Sequence, residues 1–525
     1  MIRGRRLDPV AAVLFAVGAL SLVLVSRLNF RKVDGNYDLL NYHAYVPSAL
    51  FNGTLFSDVH PAWIQSYLTP YQDLLMWPLI SGVPAPIATA VIVAIQVSIF
   101  VPLGLILQTV IPALSRPRAL AVGLIAVSGT MTMAELGGTM GDIPPAIPVA
   151  WALYLLLSVL AGQTSRPEHR AVLAGVLVGV AVALKYTVVY IAPGLFAVAV
   201  ILVIAGKWRS ASLFLVSSSL ATIVLCAPWA LVLQDNMGSP VFPLYNAIFN
   251  APRYPPVNFN DDRFAVKSMA GLIGLPISQG LGTANTAEIP FRDVRWVIAF
   301  VAAGLGIVVA ALRSLRPAVR QRWRAGLPGL ALVMFWGISY VVWAVLFGVQ
   351  RYAVPLEVLA LPVIVTGAYL ALPWLIKRRA SLLILVLLAA FLARTTSIVD
   401  FGRRPMSWAP MVPAQTIEPL TRYGAIVIGE GPLAFLKAVT RDAPGASGQV
   451  WLDPAFDGAD LAVEMKAIAG RSVGVLFYTD RHDTAVGAAA SLGLVLTDDC
   501  ATFNSPLENS DLLTLVEVCS ATRSP

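Results

Sequence analysis

The sequence predicts a membrane all-α protein with about eleven transmembrane helices and a small extracytoplasmic α/β domain at its C-terminus. Three observations predict this class. Of the 525 residues, 57% are hydrophobic and only 13% are charged, about half the charged fraction of a soluble domain. Apolar runs of membrane-spanning length follow one another as far as residue 396. After residue 399, short β-type runs alternate with helical stretches, a pattern typical of α/β domains.

The apolar runs define a transmembrane module at 1–398. A helix needs about 20 apolar residues to cross the hydrocarbon core, and the runs reach or approach that length. They cover residues 9–26, 84–112, 119–135, 143–162, 171–185, 187–205, 211–233, 295–312, 327–348, 356–376 and 380–396. A short polar stretch at Lys185 separates the fifth run from the sixth, and the combined length favours two short helices over one broken helix.

The charges between these runs predict how the module lies in a cell inner membrane. The connections on one side are short and basic, which is typical of cytoplasmic loops. They carry Arg116, Arg118, Arg166, Arg170, Lys207, Arg209, Arg313, Arg316, Arg320, Arg322, Arg324, Lys377, Arg378 and Arg379. The N-terminus, with Arg3, Arg5 and Arg6, belongs to the same side and favours an uncleaved signal anchor. The net charge of +8 is thereby explained without a nucleic-acid partner.

The opposite, outer side receives longer loops of mixed charge at 27–82 and 234–294, and then the C-terminal domain at 399–525. The strands of that domain are expected at 425–428, 450–452, 473–478, 492–496 and 512–516, with helices near 431–441, 458–470 and 483–491. Cys500 and Cys519 fall on the oxidising side of the membrane, where a disulfide is favoured over two free thiols.

Polar residues at the outer membrane edge are the candidates for chemistry, because such residues are costly near lipid unless they are paired or functional. In the first outer loop, Asp38 is followed about one helical turn later by Tyr42 and His43. Asp142 stands where an apolar helix begins, and helix capping is the alternative to a functional role there.

Two isolated cations lie on the outer side, against the general charge distribution of the loops. Lys185 sits in a turn between apolar runs, and Arg351 precedes Tyr352 between two further runs. Each cation could simply extend toward the interface. Their position on the less basic side instead favours a bound anion such as a lipid phosphate.

Four segments of the outer loops form a recognisable series. They are Tyr37-Asp38-Leu39-Leu40-Asn41-Tyr42-His43, Gly141-Asp142-Ile143-Pro144, Gly238-Ser239-Pro240-Val241-Phe242-Pro243-Leu244-Tyr245-Asn246 and Arg351-Tyr352-Ala353-Val354-Pro355. In content, order and side of the membrane, the series resembles that of bacterial membrane glycosyltransferases of the GT-C superfold over roughly residues 8–376, which makes the predicted fold GT-C-like. Ser239 replaces an Asn of the family pattern in the third segment, and the C-terminal domain matches no known module.

The resemblance implies an inverting transfer of a sugar from a polyprenyl-phosphate donor to a lipid, glycan or protein acceptor. Asp38 would be the general base, with Asp34 as its competitor, and Asp142 would orient the acceptor or help to hold a metal ion. Lys185 and Arg351 would stabilise the phosphate leaving group. The remaining substrate-binding residues would be Tyr42, His43 and Tyr352. No cofactor is certain, since some relatives use a divalent cation (Mg²⁺ or Mn²⁺) and others use none.

Two other classes of function stay open at this point. A transporter or flippase for a lipid-linked or polar substrate would need charges around a cavity at mid-membrane depth, and the Lys185 break is its only sequence signal. A non-catalytic envelope assembly protein would use the C-terminal domain to bind partners and would tolerate mutation of Asp38. The acids cluster at the outer edge instead, which favours chemistry at an exposed membrane face.

Overall fold

The computed structural model describes residues 32–259, 261–314, 323–372, 380–454, 461–507 and 515–523. The first predicted run at 9–26, the N-terminus and the basic stretches at 315–322 and 377–379 lie outside these residues. The helices are α1 (Tyr45–Phe51), α2 (Tyr71–Gly82), α3 (Ala85–Val97), α4 (Phe100–Val110), α5 (Arg116–Ala126), α6 (Thr130–Glu135), α7 (Ile143–Leu160), α8 (Pro167–Leu184), α9 (Ala192–Ile204), α10 (Trp208–Met237), α11 (Asn246–Phe249), α12 (Met269–Leu281), α13 (Arg295–Ser314), α14 (Trp323–Leu346), α15 (Val354–Ala371), α16 (Ala380–Thr395), α17 (Glu418–Thr421), α18 (Phe435–Val439), α19 (Leu461–Ile468) and α20 (His482–Ser491).

The predicted class, a helical membrane protein with a C-terminal α/β part, is confirmed. Within the described residues, seven helical segments are long and apolar enough to cross a membrane. They are Ala85–Val110, Ile143–Leu160, Pro167–Leu184, Tyr186–Ile204, Trp208–Met237, Gly326–Leu346 and Gln350–Ala371. The segments on either side of Lys185 form two spans, as expected. The total of about eleven stays a prediction.

The predicted run at 119–135 is not one helix, because buried carboxylates divide it. The chain leaves α5 after Ala126 and starts again at α6. Glu357 on α15 accepts hydrogen bonds from the backbone N–H groups of Met131 and Thr132 at 3.2 and 2.8 Å. Its Oε1 would lie 2.0 Å from an ideal Cβ on Gly129, so only glycine fits there. The carboxylate thus satisfies N–H groups that a new helix start leaves without partners.

The C-terminal region forms a five-stranded sheet in the order β4-β3-β5-β7-β6. β3 pairs in parallel with β4 and β5, whereas β7 pairs antiparallel with β5 and β6. Cys500 and Cys519 face each other across β6 and β7 and form the predicted disulfide. The strands are β3 (Ala425–Ile428), β4 (Val450–Leu452), β5 (Val473–Tyr478), β6 (Leu494–Asn504) and β7 (Leu515–Arg523).

The first outer loop and the C-terminal region share one hydrophobic cluster. Strand β1 (Lys32–Asp34) pairs antiparallel with β2 (Arg403–Pro405), and Val59 forms a parallel bridge to the edge strand β4. The buried carboxylate of Asp58 accepts hydrogen bonds from Lys437 on α18 at 2.6 Å through both oxygens. The domain boundary predicted at 399 stays a prediction, and these contacts fix the loop against the region beyond it.

A π-helix at Leu39–His43 continues directly from Asp38 and packs against α18. π-Helices are rare and often occur at functional sites, since the extra residue per turn re-aims the side chains. The shared cluster therefore places the segment that carries Asp38, Tyr42 and His43 between the C-terminal region and the membrane helices.

Candidate active site

The site lies where several membrane helices begin or end on the same side. Asp142 immediately precedes α7, and Lys185 immediately follows α8. Arg351 lies in the 3₁₀ turn Gln350–Ala353 that leads into α15. Because α7 leaves the site and α8 returns to it, the basic residues Arg166 and Arg170 near the start of α8 lie at the opposite ends of these helices.

Asp38 and Arg351, which are 313 positions apart in the chain, form a direct ion pair. Arg351 Nη1 donates to Asp38 Oδ2, and both side chains are largely buried. Burial alone would raise the pKa of the Asp38 carboxyl, but Arg351 and His43 outweigh it and hold that pKa below its ordinary value. Asp38 is therefore ionised at neutral pH and held by a cation.

Asp142 and Lys185 form a second ion pair. Lys185 Nζ donates to Asp142 Oδ1 at 2.6 Å and to the carbonyl oxygen of Met140 at 3.1 Å, and it lies 5.2 Å from the ring centroid of Tyr352. The Asp142 side chain makes no capping hydrogen bond to α7, so helix capping does not account for this acid. Gly141 has a φ of +89°, and a Cβ there would lie 2.1 Å from the Gln72 amide nitrogen, which requires glycine in this turn.

His43 and Asp73 form a third buried pair. His43 Nδ1 lies 2.5 Å from Asp73 Oδ1. Burial alone would lower the pKa of the His43 imidazole, but the Asp73 carboxylate and its hydrogen bond outweigh it, so the pKa lies above its ordinary value. The Tyr42 ring centroid lies 4.0 Å from that of His43. The geometry thus brings together all seven residues that the sequence singled out, while their roles stay predictions.

Several buried polar atoms of the site have no hydrogen-bond partner within the described part of the chain. They are His43 Nε2, Asp142 Oδ2, Arg351 Nε and Glu135 Oε1. Each leaves a donor or acceptor unsatisfied, which costs free energy unless a ligand or water supplies the partner. Four such atoms lie around the three ion pairs, which makes this place the candidate binding site.

Asp34, the other candidate for the general base, uses its carboxylate in hydrogen bonds to neighbouring loops. Its carboxylate accepts hydrogen bonds from the backbone N–H and the hydroxyl of Thr139 at 2.6 and 2.7 Å, and from the Asn36 side chain at 2.7 Å. These bonds tie the first outer loop to the turn that precedes Asp142. Asp34 therefore positions that turn, and the geometry favours Asp38 as the acid that can meet a substrate.

Sequence reasoning missed two acids of the site. Glu135 is 1% exposed and accepts a hydrogen bond from the backbone N–H of Asp142 at 3.1 Å. Asp73 lies in the first turn of α2, and its pairing with His43 depends on how that helix packs. The signal for Glu135 was present, since an acid that ends an apolar run is unusual near a membrane.

The divalent cation (Mg²⁺ or Mn²⁺) that some members of the resembling family use stays an open alternative. Among the described residues, the one group of three metal-binding side chains that converges is Cys500, Glu517 and Cys519, and its two cysteines are joined in the disulfide. The carboxylates of the site do not form such a three-ligand group.

No family model matches the chain, and no curated protein matches it. Among solved structures, it is similar to the crystal structure of ArnT from Cupriavidus metallidurans bound to undecaprenyl phosphate, with 14% identity, a TM-score of 0.45 and 97% of both chains covered. It is also similar to the apo Archaeoglobus fulgidus oligosaccharyltransferase, with 14% identity, a TM-score of 0.49, and 91% of this chain and 70% of the other covered. At these TM-scores and identities, the similarity is one of overall backbone path.

Proposed function

We propose that the chain is an inverting GT-C-type glycosyltransferase of the cell inner membrane. It transfers a sugar from a polyprenyl-phosphate donor to a glycan, lipid or protein acceptor at the outer face. One observation carries the proposal: two buried ion pairs, Asp38 with Arg351 and Asp142 with Lys185, lie together at the ends of membrane helices. Buried polar atoms of the same site have no hydrogen-bond partner among the described residues. Such a place suits a lipid phosphate beside a general base.

The reaction assigns one task to each charged group. The acceptor hydroxyl oxygen attacks the anomeric carbon of the donor sugar, and its proton passes to the Asp38 carboxylate. The bond from that carbon to the phosphate oxygen breaks, and polyprenyl phosphate leaves with the bonding electron pair. Arg351 and Lys185 stabilise the negative charge that gathers on the phosphate. Asp142 holds Lys185 in place, and Tyr42, His43 and Tyr352 line the substrate site.

The Asp38–Arg351 pair explains how donor binding prepares the base. Before the donor binds, Arg351 holds the pKa of the Asp38 carboxyl low, which makes it a weak base. A phosphate oxygen competes for the same guanidinium, because phosphate and carboxylate accept from arginine in the same geometry. As Arg351 turns to the phosphate, Asp38 loses its counter-charge and its affinity for a proton rises. The base is thereby strengthened when the donor is in place.

The position of the site favours this reaction over transport. The charged residues lie at helix ends, at Asp142, Lys185 and Arg351, rather than halfway along the membrane-spanning helices. Alternating access around a substrate needs its binding groups near the middle of the bilayer. A reaction between a lipid-anchored donor and an acceptor outside the membrane instead needs them at the surface.

The direct test is a transfer assay with the purified full-length chain in lipid nanodiscs and a panel of undecaprenyl-phosphate sugars. The proposal predicts that undecaprenyl phosphate is released with one donor, and that Asp38→Asn abolishes the release in a variant that is still folded and inserted in the membrane. Asp262→Asn is the matched control, because Asp262 is exposed and its partner is Lys267. Full activity of Asp38→Asn would dismiss the base assignment.

A further inference from the structure

Glu135 is the acid of the site whose carboxylate has no cation in hydrogen-bond contact among the described residues. Its Oε2 accepts the backbone N–H of Asp142 at 3.1 Å, and its Oε1 is buried without a partner in the described part of the chain. The other three acids, Asp38, Asp73 and Asp142, each contact a cationic side chain.

Hydrogen bonds fix the backbone on both sides of Glu135 and so fix the position from which its side chain extends into the site. Arg403 Nη2 donates to the carbonyl oxygens of Ala134 and Leu136, both at 2.7 Å. At the other end of α6, Glu357 fixes the first turn of the helix. A short helix anchored at both ends carries this carboxyl to the place where Asp142 begins α7.

Burial and the adjacent Asp142 carboxylate disfavour an ionised Glu135, while Lys185 and Arg351 act in the opposite direction. Asp142, Lys185 and Arg351 are the charged groups whose fields act on it, from the start of α7, the end of α8 and the turn before α15. The three cations Lys185, Arg351 and His43 are already paired with Asp142, Asp38 and Asp73. Glu288 also lies 3.8 Å from Arg351 Nε, so an ionised Glu135 would add a carboxylate that no cation balances. The anionic donor of the proposed function would then enter a site of net negative charge, against electrostatic repulsion.

We propose that Glu135 works as a neutral carboxylic acid that binds the donor. Its Oε1 carries the proton and donates a hydrogen bond to a phosphate oxygen of the polyprenyl-phosphate donor, while Oε2 keeps the bond from the Asp142 N–H. The inference rests on the proposed function for the identity of the donor. A carboxyl kept neutral in a buried site is a known way to place a hydrogen-bond donor where a lysine or arginine would not fit.

The test compares Glu135→Gln, which keeps a hydrogen-bond donor without charge, with Glu135→Leu, which has none. Binding of undecaprenyl phosphate to the full-length chain in nanodiscs is measured by thermal shift, so that turnover is not needed. Glu135→Gln is expected to bind within about threefold of the wild type, and Glu135→Leu about tenfold or more weakly, as for the loss of one hydrogen bond to a charged group. Glu418→Gln is the control, because Glu418 is exposed.

A second measurement is the pH dependence of binding, whose main readout is the wild type and does not depend on a variant that folds. The wild-type affinity for undecaprenyl phosphate is expected to fall as the pH rises and Glu135 loses its proton, and Glu135→Gln is expected to lack this fall. Glu135→Gln binding as poorly as Glu135→Leu would overturn the proposal, and so would wild-type binding that requires a divalent cation removable by EDTA. If the binding pattern holds but no sugar donor supports transfer, the proposed function fails while the role of Glu135 stands.

Discussion

Replacing Lys437 by Met tests whether the C-terminal region holds the base-bearing segment in place. Lys437 Nζ donates to both carboxylate oxygens of Asp58 at 2.6 Å, and Asp58 also accepts from Tyr45 Oη at 3.0 Å and the Trp451 N–H at 2.9 Å. Methionine has a similar length and no charge. The variant therefore keeps the packing but leaves the Asp58 carboxylate buried without its cation.

The expected cost follows from the burial of the pair. The side chain of Lys437 is 8% exposed and that of Asp58 is 0% exposed, so water screens their attraction little. Removing one partner of such a pair costs about 3–5 kcal/mol, because the other charge is left uncompensated. We expect this loss in the local stability of the junction between the first outer loop and the C-terminal region. Because α18 packs against the π-helix of Asp38, transfer activity should fall as well.

Hydrogen–deuterium exchange on the detergent-solubilised chain measures the junction directly. Amides at 45–59 and 450–452 should exchange about a hundredfold faster or more in Lys437→Met, which corresponds to 3–5 kcal/mol at 1.4 kcal/mol per factor of ten. Lys466→Met is the control, since Lys466 is exposed on α19. The double variant with Asp58→Asn should recover part of the protection. Unchanged protection in Lys437→Met would refute the reasoning.

Three further predictions concern the membrane module and the site. Gly129→Ala should destabilise the chain by about 1–3 kcal/mol in thermal melts, because the new Cβ would lie 2.0 Å from the buried Glu357 Oε1; an unchanged melting temperature would contradict the packing. The raised pKa of His43 means that its pairing with Asp73 stabilises the fold below the ordinary histidine pKa and is lost as pH rises through the raised value. Melting temperature should fall over that range in the wild type and not in His43→Gln. Arg351→Ala should raise the KM for the lipid donor about tenfold or more, and an unchanged KM would remove Arg351 from the phosphate site.

The sequence predicted that the site residues meet at one end of the membrane helices, because counting spans places alternate connections together. Asp142, Lys185 and Arg351 each stand at the end of an apolar run, so their common location followed from helix length and loop charge. The α/β pattern after residue 399 and the disulfide between Cys500 and Cys519 followed equally from local pattern and compartment.

The ion pairs of the site and the break within the predicted run at 119–135 could not be predicted in this way. Asp38 pairs with Arg351 across 313 positions, and no periodicity encodes that choice. The break between α5 and α6 depends on the carboxylate of Glu357, which comes from a helix more than 200 residues later. The predicted run ends at Glu135, and only the break between α5 and α6 brings its carboxylate to the Asp142 N–H. Long-range polar contacts thus set the features that hydrophobic pattern alone misassigned.

Lipid and glycan mass spectrometry of cells with and without the gene tests the central claim most directly. Cells that lack it should accumulate one polyprenyl-phosphate sugar and carry an envelope product missing one sugar residue. Expression of Asp38→Asn should leave both defects in place, whereas Asp262→Asn should correct them. Identical lipid and glycan profiles with and without the gene would contradict glycosyl transfer by this chain.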